Sequence, residues 1–257
     1  MFNDPMASTN RLRRITEATR RSGELTVAEL AELTGASEMT IRRDLETLAD
    51  QGVLERFRGG ARSLLLRGEE PPFLLRVTEA TEAKQRIAAD IANLIADGES
   101  VVLDSGTTCL QVAYALRDRK VTVMPLSLHA ANALIGGTAK ILMAGGEPRS
   151  GELALTGPLA EASLAALRFD TAIIGPCGLN TANGLTAHDL ADAAIKRAAM
   201  ASSRRLIAAA DASKFTRTAL AFVTPVTTLN AVVTEETAPQ QEIDALTAAG
   251  VTVRTVP

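Results

Sequence analysis

The sequence predicts a two-part α/β protein: an N-terminal winged helix-turn-helix domain, then a C-terminal, largely parallel α/β domain. Three observations carry that prediction. Residues 26–45 hold two helix starts separated by a short glycine-containing turn, and the second helix exposes adjacent arginines. Residues 53–62 then alternate before breaking at Gly59-Gly60, as a β wing does. From residue 101 onward, short apolar runs rich in Val and Ile alternate with amphipathic stretches, the pattern of parallel strands joined by helices.

Composition sets the limits. A chain of 257 residues favours two domains or one large one. With 46% hydrophobic and 22% charged residues it has the balance of a soluble protein, and 3% aromatics make its core aliphatic. The formal net charge of −3 means that any affinity for a polyanion must be local. Cys109 and Cys177 have no CxxC partners, so they form neither a zinc pattern nor a disulfide framework, which suits a reducing compartment. His129 and His188 also lack partners at metal spacing and read as structural, so no metal is expected. No apolar run approaches the ~18 residues of a membrane span, and the first ten residues lack a basic-then-apolar signal pattern. The expectation is a cytoplasmic protein with no membrane partner.

The first domain is expected over residues 8–62. Leu12, Ile15 and Ala18 mark a short amphipathic helix that stops at Gly23. Thr26-Val27-Ala28-Glu29 is a capping box that opens a second helix, ending at Gly35. Ser37 then caps a third helix, a cap worth ~1 kcal/mol. On that helix Ile41, Leu45 and Leu48 define the buried stripe. Met39 and Arg43 point nearly opposite, with Thr40 and Thr47 beside them and Arg42 on the flank. Arg43 is therefore placed to reach base edges, and Arg42 and Thr40 to meet phosphates. A plain alternative for Arg42 is a surface pair with Glu38 or Glu46, worth a few tenths of a kcal/mol. Glu46 and Asp50 share the outward stripe, so only the N-terminal half of the helix suits a groove in DNA. Arg56, Arg58 and Arg62 sit on the expected two-stranded wing, available to the phosphate backbone. Residues 1–62 hold ten arginines and ten acids, so DNA binding must rest on sidedness and on two copies acting together.

Residues 63–83 read as a linker, broken by Pro71-Pro72. The second domain is expected over 84–257, opening with a long amphipathic helix from Lys84. Strands are read at 101–104, 121–124, 140–144, 171–175, 205–210, 231–234 and 251–255, with helices near 108–117, 127–135, 158–167, 189–202 and 239–249. In such sheets ligands bind beyond the carboxyl ends of the strands. There Asp104-Ser105-Gly106-Thr107-Thr108 follows a strand and opens a helix, presenting backbone N–H groups and three hydroxyls as a phosphate cradle. The competing reading is an ordinary strand-to-helix turn with a hydroxyl cap. Asp211 and Lys214 follow another strand, and Asp192 and Lys196 share a helical face. Lysines suit a phosphate and aspartates suit sugar hydroxyls, while the plain reading of Asp192–Lys196 is a surface ion pair. Neither GxGxxG nor GxxxxGK[ST] occurs, so no nucleotide cofactor is indicated.

The run VAELAELTGASEMTIRRDLETLADQGVLERFRGGA resembles the winged helix-turn-helix of the DeoR/GlpR family of bacterial transcriptional regulators, above all in TIRRDL followed by R-x-x-GGA. The DSGTT loop, Gly145-Gly146, the Gly178–Thr186 run, KRA at 196–198 and DASKF at 211–215 resemble that family's sensor domain. The resemblance implies a fold related to ribose-5-phosphate isomerase and a phosphorylated sugar as ligand. Two positions depart from the family pattern: Pro125-Leu126 stands where Thr-Asn is usual, and Asp192 where Glu is usual. The first removes polar groups from a loop expected to face the sugar, so the phosphate subsite transfers more securely than the sugar subsite.

These readings predict a sequence-specific DNA-binding regulator, a repressor of a carbohydrate operon that is released by a phosphorylated sugar or related metabolite. Its expected partners are double-stranded operator DNA, the effector and further copies of itself, as dimer or tetramer. The DNA-contacting residues are Ser37, Met39, Thr40, Arg42, Arg43, Arg56, Arg58 and Arg62. The effector residues are Asp104, Ser105, Gly106, Thr107, Thr108, Lys196, Asp211 and Lys214. The rival is a sugar-phosphate isomerase with a DNA-binding appendage, in which Asp104, Asp192 or Asp211 supplies the base.

Overall fold

The computed structural model describes residues 5–50, 52–64, 73–149 and 151–257, and divides the chain into two compact units, Met1–Glu79 and Ala80–Pro257. The Pro71-Pro72 break lies outside the described residues.

The first unit runs α1 (Pro5–Ser22), β1 (Glu24–Thr26), α2 (Val27–Thr34), α3 (Glu38–Asp50), β2 (Leu54–Phe57), β3 (Gly60–Ser63) and α4 (Phe73–Arg76). The capping box forms as read: the Glu29 amide donates to Thr26 Oγ1 at 3.2 Å, and the Thr26 amide donates to Glu29 Oε2 at 2.7 Å. At the other end of α2, Gly35 takes φ 72° and its amide closes on Ala31. Ile41, Leu45 and Leu48 of α3 pack with Ile15, Val27, Leu30, Val53, Leu54 and Ala61 in one aliphatic core. The wing has three strands rather than the expected two, because Glu24–Thr26 pairs antiparallel with β3 on the side away from β2. Three residues, the last of them the helix cap Thr26, are too few to show alternation. Gly60 is needed where these strands meet, since a Cβ there would lie 2.4 Å from the Leu25 carbonyl oxygen and 2.6 Å from the Phe57 ring.

Asp44 of α3 faces inward and accepts two hydrogen bonds from Arg11 of α1, at 2.5 Å and 3.2 Å, which hold the Arg11 guanidinium above its usual pKa. This forked pair fixes α3 against α1. Arg11→Ala is expected to cost the first unit about 1.5–3 kcal/mol, because a largely buried carboxylate loses its donors. Hydrogen exchange of the α3 amides in the full chain measures it, and unchanged protection contradicts it.

The second unit continues with α5 (Thr81–Leu94), β4 (Ser100–Leu103), α6 (Thr107–Leu116), β5 (Thr122–Pro125), α7 (Leu128–Leu134), β6 (Lys140–Ile141), β7 (Glu147–Pro148), β8 (Leu155–Thr156), α8 (Pro158–Ala165) and β9 (Phe169–Ile174). Then follow β10 (Gly178–Asn180), β11 (Gly184–Ala187), α9 (Leu190–Ala201), β12 (Ser203–Ala209), β13 (Ala221–Thr224), β14 (Ala231–Glu235), α10 (Gln240–Ala248) and β15 (Thr252–Val256). The seven strands read from the sequence form one parallel sheet in the order β15-β14-β12-β9-β4-β5-β6, although the expected 140–144 strand shrinks to two residues. Val102, Met124, Ala172, Ile174, Leu206, Ala208 and Val232 pack on one face with side chains of α8, α9 and α10. The alternate residues Val101, Leu103, Val123, Ile173, Ile207 and Val233 are buried on the other face, where α5, α6 and α7 meet the strands. The sequence does not foretell the β7-β8 hairpin or the antiparallel sheet β10-β11-β13, which is built from short strands, two of them starting on glycine. Gly178–Thr186 is the β10-β11 hairpin.

The amino edge of the main sheet is tied by charge. Asp170 accepts from the Ser100 amide and hydroxyl, both at 2.8 Å, and from Arg204, and these bonds hold its pKa down at about 2. A carboxyl depressed in the folded state stabilises the fold above its unfolded pKa, ordinarily 3.8, and that contribution fades as pH falls toward 2. Asp170→Asn is therefore expected to lower the urea midpoint at neutral pH and to narrow the gap from wild type at about pH 2.5. An equal gap at both pH values contradicts this.

Candidate functional site

Two surfaces collect the candidate residues, one in each unit. On α3 the N-terminal half is open: Met39 is 65% exposed, Arg42 and Arg43 are exposed, and Thr40 is half-buried. Ser37 accepts from the Thr40 amide at 3.3 Å, and the two hydroxyls meet at 2.9 Å. The arginines divide into two groups. Arg42 pairs with Glu38 at 2.9 Å, Arg56 with Glu46 at 3.4 Å and Arg62 with Glu55 at 2.6 Å. The side chains of Arg43 and Arg58 make no hydrogen bond or ion pair among the described residues, and Arg58 sits with Gly59 on the wing turn. The Arg56–Glu46 pair links the wing to α3.

In the second unit the sheet order reverses at β4. The chain runs outward through β5 and β6, then returns through β9, β12, β14 and β15 on the other side. The border of β4 and β9 is thus a topological switch point, where the carboxyl ends open a crevice. The Asp104–Thr108 loop leaves β4 at this place. Gly106 takes φ 104° ahead of α6, a conformation that favours glycine. The amides of Gly106, Thr107, Thr108 and Cys109 donate to no group among the described residues, and the helix has no side-chain cap. The hydroxyls of Ser105, Thr107 and Thr108 likewise make no hydrogen bond with the described protein, although these residues are 5–7% exposed. A positive helix end with free donors can hold an anion.

Beneath the loop lies a cluster that spacing alone did not reveal. Asp192 and Lys196 are not a surface pair: the Lys196 side chain is 2% exposed and that of Asp192 is 6% exposed. Lys196 Nζ donates to Asp104 Oδ2 at 2.6 Å and to the Gly175 carbonyl at 3.0 Å, and lies 3.2 Å from Asp192 Oδ1. Asp104 is 1% exposed and also accepts from the Ser105 amide at 2.8 Å and the Gly175 amide at 2.9 Å. The Cys177 thiol faces Asp192 Oδ2 at 3.6 Å. Burial opposes the Lys196 ammonium, but Asp104 and Asp192 outweigh it and hold its pKa well above the usual lysine value. Burial also raises the Asp104 carboxyl, against the pull of Lys196. The Cys109 thiol is pushed up by burial and by Asp104, which makes it a poor nucleophile.

Asp211 and Lys214 stand at the carboxyl end of β12, two strands from β4 and so about 10 Å away. Asp211 caps a short 3-10 turn, accepting from the Ser213 amide at 3.1 Å and its hydroxyl at 2.5 Å, and Lys214 is 8% exposed. Leu126 is buried in the core, and Ser127 caps α7 through the Ala130 amide at 3.1 Å. Gly145 and Gly146 serve packing, since a Cβ at Gly146 would lie 2.6 Å from the Thr156 carbonyl oxygen. A cleft of about 560 Å³ between β10, β11, β13 and α10 contains none of the candidate residues. Gly175 escaped the sequence reading because its contribution is purely backbone. Among the described residues no group of three or more His, Cys, Asp or Glu is placed to hold a metal, and no helix is long and apolar enough to cross a membrane.

Comparison with known proteins matches residues 11–65 to the DeoR-like helix-turn-helix domain and residues 79–236 to the DeoR C-terminal sensor domain. The glycerol-3-phosphate regulon repressor of Escherichia coli (strain K12) is 32% identical over 94% of this chain and 96% of its own length. Transcriptional repressor AccR of Agrobacterium fabrum is 32% identical over 88% of this chain and 89% of its own length. The HTH-type transcriptional regulator GlpR of Haloferax volcanii is 30% identical over 96% of this chain and 98% of its own length. Among solved structures, ribose 5-phosphate isomerase A of Methanocaldococcus jannaschii aligns over 52% of this chain and 54% of its own, with TM-score 0.40 and 15% identity. At that level neither residues nor activity transfer. The two domain matches, in the order in which the two units occur, establish that the chain belongs to the DeoR family of transcriptional regulators.

Proposed function

We propose that this protein represses transcription by holding operator DNA, and that a phosphorylated sugar or related metabolite at the Asp104–Thr108 loop releases it. The observation that carries the reading is the set of donors without a partner among the described residues at the sheet's switch point, the amides of Gly106 to Cys109 and the hydroxyls of Ser105, Thr107 and Thr108. An anion of phosphate size satisfies those donors, and Lys214 supplies a cation within reach of a ligand spanning β4 to β12. Asp211 lines the same edge. On the DNA side, Ser37 fixes the start of α3, Met39, Thr40 and Arg43 face the groove, and Arg58 meets phosphate. Arg42, Arg56 and Arg62 join them by exchanging surface carboxylates for phosphate oxygens. The neutral balance of the first 62 residues favours a dimer or tetramer that places two such helices in successive major grooves. The DNA partner sets the compartment as the cytoplasm.

The aspartates argue against an isomerase. Asp104 is committed to Lys196 and two amides, Asp192 to Lys196 and Cys177, and Asp211 to Ser213. Incubation with pentose and hexose phosphates is expected to give no turnover above background. The binding reading is tested by thermal shift with the same compounds, since a ligand at 100 times its Kd stabilises by ~2.7 kcal/mol. Thr107→Val and Lys214→Ala are each expected to abolish the shift given by wild type while leaving operator affinity within about twofold. A shift that survives both changes contradicts this placement of the site.

A further inference from the structure

The Lys196 ammonium makes its contacts inside the protein. It donates to the loops that follow β4 and β9, through the Asp104 carboxylate and the Gly175 carbonyl, and forms an ion pair with Asp192 one turn back along α9. The Asp104 carboxylate is equally committed. Besides Lys196 it accepts the Ser105 amide, where the cradle begins, and the Gly175 amide across the crevice. We propose that Lys196 is a positioning residue of the effector loop: it sets the Asp104–Gly106 turn through Asp104 and does not itself touch the effector's anion. The proposal rests on the effector reading above and assigns Lys196 a role there different from contact.

Two physical consequences follow from this arrangement. A carboxylate directly beneath an anion cradle repels the anion unless a cation is held against it, and Lys196 is that cation. The turn also presents its amides in one orientation only while Asp104 is pinned from both sides. A loss of Lys196 therefore weakens the cradle without removing any donor from it. Lys214, at the carboxyl end of β12 two strands from β4, remains the cation within reach of the effector.

The test is a double-mutant cycle read as the Kd of inorganic phosphate, from its effect on thermal unfolding of the full chain at constant ionic strength. Wild type, Thr107→Val, Lys196→Met, Asp104→Asn and the Asp104→Asn/Lys196→Met pair are compared. Lys196→Met and Asp104→Asn are each expected to weaken phosphate about tenfold or more, and the pair no more than about threefold beyond Asp104→Asn alone. A lysine touching the anion costs its full factor in either background, so additive losses overturn the proposal, as does an unchanged Kd in Lys196→Met. Should a variant fail to fold, a crystal structure of the unmutated protein grown in phosphate decides. The expected result is phosphate on the Gly106–Cys109 amides with Lys196 still on Asp104, and a Lys196 that swings onto the phosphate overturns the proposal. Failure of the effector reading looks different: phosphate then gives no stabilisation of wild type, or equal stabilisation of wild type and Thr107→Val.

Discussion

Lys196→Met is expected to destabilise the second unit by about 3–5 kcal/mol, the cost of breaking a buried ion pair from one side. With the ammonium gone, Asp104 and Asp192 lie buried near each other without a cation between them. Burial already raises the Asp104 carboxyl above its ordinary 3.8, and loss of its neighbour raises it further. A carboxyl whose folded pKa exceeds its unfolded value adds stability at low pH, and that gain disappears as pH rises through the folded pKa. The deficit of the variant is thus largest at neutral pH and smallest near pH 3.8. Urea unfolding across that range measures it. A loss below about 1 kcal/mol at neutral pH contradicts the burial of the cluster.

The second large effect is on DNA. Arg43→Ala is expected to weaken operator binding about 5- to 150-fold, the equivalent of the ~1–3 kcal/mol that a forked arginine–guanine contact contributes. Arg43 is exposed on α3 with no side-chain partner among the described residues, so no competing bond must be given up. The same change should leave affinity for random DNA nearly unaltered. In the proposed reading Arg58 on the wing turn meets phosphate instead, and Arg58→Ala should weaken all sequences alike and reduce the salt slope by about one. Equal losses of specificity in the two variants contradict the division of labour between helix and wing.

Much of this architecture is legible in the sequence, and the exceptions have physical causes. The seven strands of the main sheet are buried on both faces, so they appear as short apolar runs such as those from Val101 and Thr171. The strands of β10-β11-β13 are held by cross-strand bonds and glycine-permitted close approach, which leave little trace in hydrophobic pattern. Asp44 lies beside the stripe of Ile41, Leu45 and Leu48, but nothing in the spacing marks an aspartate there as buried, because its partner Arg11 is on a different helix. For Asp192 and Lys196, a four-residue spacing is the same on a wet surface and in a core. What decides is Asp104, contributed by a distant strand end, and two backbone groups of Gly175 that no side chain announces. The loop itself was readable because Gly106 and a helix start after a strand admit few geometries.

Operator release measures most directly the proposed link between an anion cradle in one unit and DNA binding by the other. A labelled operator bound to the full chain is titrated with each of a panel of sugar phosphates while fluorescence anisotropy is followed, for wild type and for Thr107→Val. The prediction is that at least one phosphorylated compound releases wild type, that its unphosphorylated parent does not, and that Thr107→Val stays bound throughout. Release of both proteins at equal concentration, or release by the unphosphorylated parent alone, contradicts it.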